Sequence, residues 1–369
     1  MKFLCEKSAL VNAISIVSRT VSPKSSLAFL EGIYLAAGED LRLTGYNLET
    51  GITVRMDATI RRTGECVMPA RMFADIVRKL PEDVVSIEVD ENYRVSIKGG
   101  VASFQLMATA ADEYPQLPTV EEENAVRMPQ KALRELISGT IFAVSEDTAN
   151  AIYTGCLVET REDALTMVAI DGYRMAKRSW KAETGFPAMS FVVPSAALKE
   201  LEKILSDAED EVSFNLGRKH ISFHLENATL ICRLLEGKFA EWRRFIPASA
   251  PIQLVANVAE LTATVERVGL IVNEKYKSPV RCRFNKDGAE FRTVTTVASA
   301  TDGCRLAGDG KDTEIGFSCR YMLEALKAVP TLEVTLLLSG GLSPILLVPC
   351  EADSKDVDFT YLIQPVRLN

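Results

Sequence analysis

The chain is predicted to fold as α+β, in three tandem domains spanning 1–120, 127–250 and 251–369, each built from two strand–helix–strand halves. Two observations carry this. A layout of strand then helix, twice with a proline between them, recurs as ECVMPARMFADIVRKLPED (65–83), MSFVVPSAALKELEKILSDAED (189–210) and EIGFSCRYMLEALKAVP (314–330). The strand-to-helix openings of the three segments, starting at Met1, Val126 and Ile252, stand a similar distance apart. A period of about 120 residues signals repeated domains rather than a solenoid of short units.

The elements follow in order. In MKFLCEKSALVNAISIVSRTVSPK a short strand precedes a helix whose buried face holds Leu10, Ile14, Val17 and Val21, ended by Pro23. Strands EGIYLAA, DLRLTGYNLE and TGITVRMDATI come next, then a strand and a helix over 69–80 stopped by Pro81. VVSIEVDENYRVSIKGGVASFQLMA reads as three strands with turns at Asp90-Glu91-Asn92 and Gly99-Gly100, and PTVEEENAV as a linker. The second segment repeats the plan, with Leu133, Leu136, Ile137 and Ile141 on a helix over 129–145 and another helix over 194–207. In the third the helices cover 258–275 and 319–329, VRCRFNKDGAEFRTVTT is a hairpin, and DFTYLIQPVRLN is a final strand.

Within this plan LTMVAIDGYRMAKR (165–178) stands out. Alternating side chains predict a half-buried strand, and Asp171-Gly172 the turn that ends it. Tyr173, Arg174 and Met175 then follow directly: an aromatic, a cation and a flexible thioether suited to gripping a peptide. An ordinary hairpin with a snorkelling arginine is the plainer alternative.

Composition narrows the function. Hydrophobic residues at 47% and charged ones at 25% are those of a soluble globular protein, and neither a membrane-length apolar run nor a signal-type start is present, so a cytoplasmic location is expected. The eight cysteines stand singly, which suits core thiols better than zinc or disulfides. His220 and His224 share a strand face but lack further ligands there. No phosphate loop or catalytic signature occurs, so neither a cofactor nor catalysis is expected. The net charge of −8 opposes nucleic-acid binding, yet the six predicted helical stretches together are net positive. Helix propensity of Lys and Arg explains this blandly; a shared helical surface facing a polyanion explains it functionally.

Taken together, the MKF start, PARMFADIVRKLP, AADEYPQLP, AIDGYRMA, EGKFAEWRRFIP and YLIQPVRL resemble the bacterial sliding clamp family, the beta subunit of DNA polymerase III, along essentially the whole chain. The resemblance implies a head-to-tail homodimeric ring of six domains, helices lining the hole and sheets outside. It implies no catalysis, but encirclement of double-stranded DNA without reading sequence, and tethering of the polymerase III alpha subunit, the clamp loader, other polymerases and repair proteins through short linear motifs.

Carried over by position, the implied partner pocket comprises Ile170, Gly172, Tyr173, Arg174 and Met175, with Tyr153 on the neighbouring strand, and Arg244 and Phe245. Leu362, Gln364, Pro365, Val366, Arg367 and Leu368 of the tail join them, with Tyr321 and Pro344 nearby. Ala240, Tyr173, Gln364 and the extra Asn369 depart from the family's usual residues, which bears on peptide preference. Lys24 and Arg71 match DNA-facing positions; Arg19, Arg78, Lys79, Lys131, Lys199 and Lys203 are candidates from helix placement. For the ring contact the candidates are Tyr93 to Met107 with Arg94 and Lys98, against Phe291 to Ala300 with Val297 and the helix around Leu270 and Ile271. Because TVTTVASA is uncharged, the expected contact is backbone pairing and apolar burial, insensitive to salt. Two alternatives are an enzyme built on Asp171 and Arg174, and an interaction hub of the same fold that does not close on DNA.

Overall fold

A computed structural model describes residues 1–121, 125–182, 185–272, 278–353, 355 and 357–368. Among them are six α-helices: α1 (Lys7–Val17), α2 (Ala70–Lys79), α3 (Gln130–Ser138), α4 (Ser195–Ile204), α5 (Val258–Gly269) and α6 (Cys319–Lys327). Each lies in an expected helical stretch, and each is shorter than that stretch. Beyond Val17 the chain tightens into a 3₁₀ turn, Ser18–Thr20, where the Thr20 hydroxyl donates to the carbonyls of Val17 (3.1 Å) and Gly45 (2.9 Å). Val21 is therefore extended rather than on the helix face. At the end of α3 the Thr140 hydroxyl donates to the Leu136 carbonyl at 2.7 Å, and Ile141 opens a separate 3₁₀ turn. The expected run of α5 to Lys275 includes residues 273–275, which lie outside the described residues; α5 ends at Gly269.

Helix starts follow local chemistry. Pro69, Pro129 and Pro194 each end a strand and precede a helix. At α5 and α6, which lack the proline, side-chain caps substitute: Asn257 accepts from the Glu260 N–H (3.0 Å) and Ser318 from that of Tyr321 (3.4 Å).

The chain packs as two compact units, residues 1–131 with 203–234, and 132–202 with 235–369. In the first, an eight-stranded antiparallel sheet runs Val126–Pro129, Glu211–Leu216, His220–His224, Ala228–Arg233, Thr50–Met56, Leu41–Tyr46, Gly32–Ala37, Gly64–Pro69. Its five-stranded companion runs Thr59–Arg62, Lys2–Glu6, Val84–Val89, Arg94–Gly99, Ala102–Met107. The expected single strand TGITVRMDATI is thus two strands in different sheets, parted at Asp57-Ala58. Leu10, Ile14 and Val17 of α1 and Phe73 and Val77 of α2 are buried between these layers.

The second unit has its own eight-stranded antiparallel sheet: Met189–Pro194, Gly155–Arg161, Ala164–Ile170, Arg174–Lys181, Asp358–Ile363, Ile345–Val348, Glu333–Leu338, Ile252–Asn257. A four-stranded sheet accompanies it in the order Ser299–Cys304, Ala289–Val294, Val280–Phe284, Thr313–Phe317. The units do not follow the threefold repeat, because both large sheets are composite. Ala228–Arg233 pairs with Thr50–Met56, and Arg174–Lys181 with Asp358–Ile363.

All eight cysteines are buried. Desolvation pushes the thiols of Cys5, Cys66, Cys156 and Cys232 up to about 12. A colorimetric thiol reagent is therefore expected to find essentially no reactive cysteine in the native protein at neutral pH and all eight after denaturation. Prompt native labelling would contradict the burial. No described helix is long and apolar enough to cross a membrane.

Candidate functional site

The hairpin at Asp171 stands at the rim of a buried apolar cluster in the second unit. Its first strand, Ala164–Ile170, is buried on both faces rather than one: it is an interior strand of a sheet that is covered on both sides. The polar side chain this traps, Thr166, shares a 2.9 Å hydrogen bond with Ser179 across the hairpin. The turn itself is as expected: the Asp171 carboxylate accepts the N–H groups of Tyr173 (2.8 Å) and Arg174 (3.0 Å), while Gly172 takes φ +91°.

The three residues after the turn do not form one gripping surface. Tyr173 is 59% exposed, but Arg174 is 7% and Met175 1% exposed. Successive strand side chains point to opposite faces, and this sheet is covered on both. Arg174 donates from Nε to Asp171 (2.9 Å) and from Nη1 to Glu324 of α6, and its guanidinium stands 4.4 Å from the Tyr321 ring centre. It ties the hairpin to α6 and fixes Tyr321, on which Tyr173 stacks with ring centres 6.3 Å apart.

Met175 belongs instead to the apolar floor beneath the hairpin, a buried cluster that also holds Ile170, Leu362, Leu157, Trp242 and Leu346. Tyr153 packs against this cluster, edge-on to Phe239 at 5.3 Å. It does so from a 3₁₀ segment, Thr148–Thr154, and not from the strand, which begins at Gly155. Trp242 anchors the floor, its indole N–H donating to Glu159 at 3.3 Å. Nearby, Lys177 meets Asp358 at 2.5 Å; burial lowers the lysine's pKa, and the carboxylate opposes that shift.

The tail completes the rim. The Gln364 N–H donates to the Tyr173 carbonyl (2.9 Å), and the Val366 N–H to that of Gly316 (2.8 Å). Gly316 permits the crossing, since a Cβ there would fall 2.5 Å from the Leu368 side chain. Pro365 lies between, half-buried, and Arg367 is exposed. Pro344 precedes Ile345, the register partner of Ile363, which brings it toward Gln364. Arg244 and Phe245 lie exposed on the 3₁₀ turn Trp242–Phe245, Arg244 paired with Glu241 at 2.6 Å. Sequence reasoning missed Leu157, Phe239 and Trp242 in the floor and the exposed Leu342 beside Pro344. Trp242 was within reach, since it belongs to the EGKFAEWRRFIP motif.

In the first unit a cleft of about 1080 Å³ runs along α1 and α2, lined by Arg71, Arg78 and Lys79 and by Met72, Phe104 and Met107. Arg19 and Lys24 are exposed beyond α1. Part of this charge is answered locally: Arg78 lies 3.6 Å from Asp75, and Lys131 on α3 lies 3.7 Å from Glu209. Lys199 and Lys203 project from α4.

Each unit also leaves a sheet edge bare among the described residues, Ala102–Met107 in the first and Ser299–Cys304 in the second. Arg94 and Lys98 lie one strand in from the first edge. Beside the second edge, Leu270 is 83% and Val297 92% exposed, Ile271 is half-buried, and Asp302 is held at 2.5 Å by Arg267.

The chain matches known proteins along its whole length. Residues 1–118, 127–241 and 243–367 match the family models of the N-terminal, central and C-terminal domains of the DNA polymerase III beta subunit. The chain is 30% identical to the beta sliding clamp of Halalkalibacterium halodurans over 382 residues, covering all of both chains. It is also 30% identical over 387 residues to that of Bacillus subtilis, again over both full lengths. The crystal structure of the Bacillus subtilis clamp superposes with a TM-score of 0.94 over 100% of both chains at 29% identity. A beta subunit from Eubacterium rectale gives 0.94 at 30% identity over 99% of each.

Proposed function

Since the chain belongs to the DNA polymerase III beta subunit family, the sliding clamps, and is therefore a non-catalytic DNA replication factor, we propose that two copies close head to tail into a ring that encircles duplex DNA. The ring's domains are 1–120, 127–250 and 251–369 of each copy. The observation that carries this reading is a bare, apolar-flanked sheet edge in each unit, Ala102–Met107 and Ser299–Cys304. An unpaired edge invites strand addition, and a heterologous contact that closes after two copies pairs both of these edges in each copy.

The basic candidates Lys24, Arg71, Arg78 and Lys79, with Arg19, Lys131, Lys199 and Lys203, face the phosphates. They hold them loosely and without reading bases, which lets the ring slide. The cleft between Tyr173, the Trp242 floor and the tail receives short linear motifs of the polymerase III alpha subunit, the clamp loader, other polymerases and repair proteins. Its apolar floor takes a leucine or phenylalanine anchor, and tethering raises the polymerase's effective concentration at the template. The work is done in the cytoplasm.

Retention on DNA tests the reading. Protein assembled on a nicked circular plasmid is expected to stay bound through gel filtration and to be released when the plasmid is linearised. Release from the intact circle would leave a hub that does not enclose DNA. The dimer's mass is expected to be the same by light scattering at about 0.1 M and about 1 M salt, where the screening length falls to about 3 Å. Dissociation at high salt would mean that charge pairs hold the contact.

A further inference from the structure

We propose that a second groove beside the anchor cleft binds an acidic stretch flanking the hydrophobic anchor of the same partner peptide. The inference rests on the reading of that cleft as a peptide site. The groove, of about 600 Å³, is lined by Leu157, Glu159, Arg161 and Ser190 on one side and residues 237–244 on the other. It is continuous with the cleft, because Leu157, Phe239 and Trp242 belong to the cleft's apolar floor and also line the groove.

Its charge decides what fits. Four cations line it: Arg161, Lys238, Arg243 and Arg244. Its two carboxylates are already engaged, Glu159 accepting from Arg243 (3.0 Å) and the Trp242 indole (3.3 Å), and Glu241 pairing with Arg244 at 2.6 Å. Arg243 stands over Trp242, its guanidinium carbon 4.1 Å from the ring centre, and it is also paired with Glu159, so it is held in place beside the groove rather than sweeping through solvent. An aspartate or glutamate entering the groove meets a preset positive field; a lysine meets repulsion. The groove therefore adds selection by charge to the cleft's selection by shape.

The test uses the full chain and a fluorescein-labelled peptide carrying a leucine–phenylalanine anchor. It is compared with versions bearing three aspartates before the anchor, three after it, or three lysines at the same places, by anisotropy at low salt. One of the aspartate peptides is expected to bind about tenfold tighter than the neutral peptide, with the gain lost at 1 M salt. Lys238→Glu and Arg161→Glu, both exposed and outside the anchor cleft, are expected to abolish that gain while leaving the neutral peptide's affinity unchanged. Equal affinities for aspartate, neutral and lysine peptides, or variants that weaken all peptides alike, would overturn the proposal. If the wild-type protein binds none of them, the peptide-cleft reading itself fails and takes the groove with it.

Discussion

Replacing Leu270 and Val297 together by aspartate is expected to turn the dimer into a folded monomer. Both side chains are almost fully exposed in the single chain, so neither substitution disturbs its core. In the proposed ring they lie beside the edge Ser299–Cys304 and are expected to be buried against the second copy. Each aspartate then removes apolar burial and places an unpaired carboxylate in the contact, together costing about 4–6 kcal/mol, or roughly 10³-fold or more in dimer affinity. Few nearby charges can rescue them, because Thr295, Thr296 and Val297 form an uncharged turn and Arg267 is held by Asp302. Sedimentation at micromolar concentration and circular dichroism check the two halves of the expectation. An unchanged dimer would move the contact to another face.

Trp242→Ala is expected to lower stability by about 3–5 kcal/mol and to abolish peptide binding. The indole is buried under the cleft, packs with Leu157, Met175 and Leu362, and donates to Glu159. Its loss leaves a hole beneath the anchor site and removes one of the two contacts that Glu159 accepts, the one from Arg243 remaining. Phe245→Ala, three residues on and exposed, separates the two effects: it is expected to change stability by less than about 1 kcal/mol while weakening the peptide. Chemical denaturation and anisotropy on both variants decide the matter. Equal loss of stability in both would show that the floor does not centre on Trp242.

Much of the fold was legible because its signals are local. Pro69, Pro129 and Pro194 mark the passage from strand to helix, and Asp171-Gly172 fixes a hairpin by its own hydrogen bonds. Pairing across repeats was not legible. Nothing near Ala228–Arg233 announces Thr50–Met56 as its neighbour, and the edge strand Ser299–Cys304, SATDGC, has too few apolar residues to alternate. The same limit explains Arg174. A cation after a turn reads as exposed unless its partner is known, and that partner, Glu324, stands 150 positions away. Membership of the cleft came mainly from family resemblance; the structure adds why Met175 is floor, Tyr173 rim and Arg174 brace.

Composite sheets have a consequence for how the molecule can be taken apart. A middle fragment cut at the repeat boundaries keeps its helices α3 and α4 but is stripped along two strands at once. Ala228–Arg233 loses five paired residues and Arg174–Lys181 loses six. Both are interior strands in the intact chain, with neither the bulge nor the proline that would break pairing at a natural edge. Such a fragment carries two adhesive borders and assembles with its own kind, so the three repeats, interchangeable in plan, are inseparable in practice.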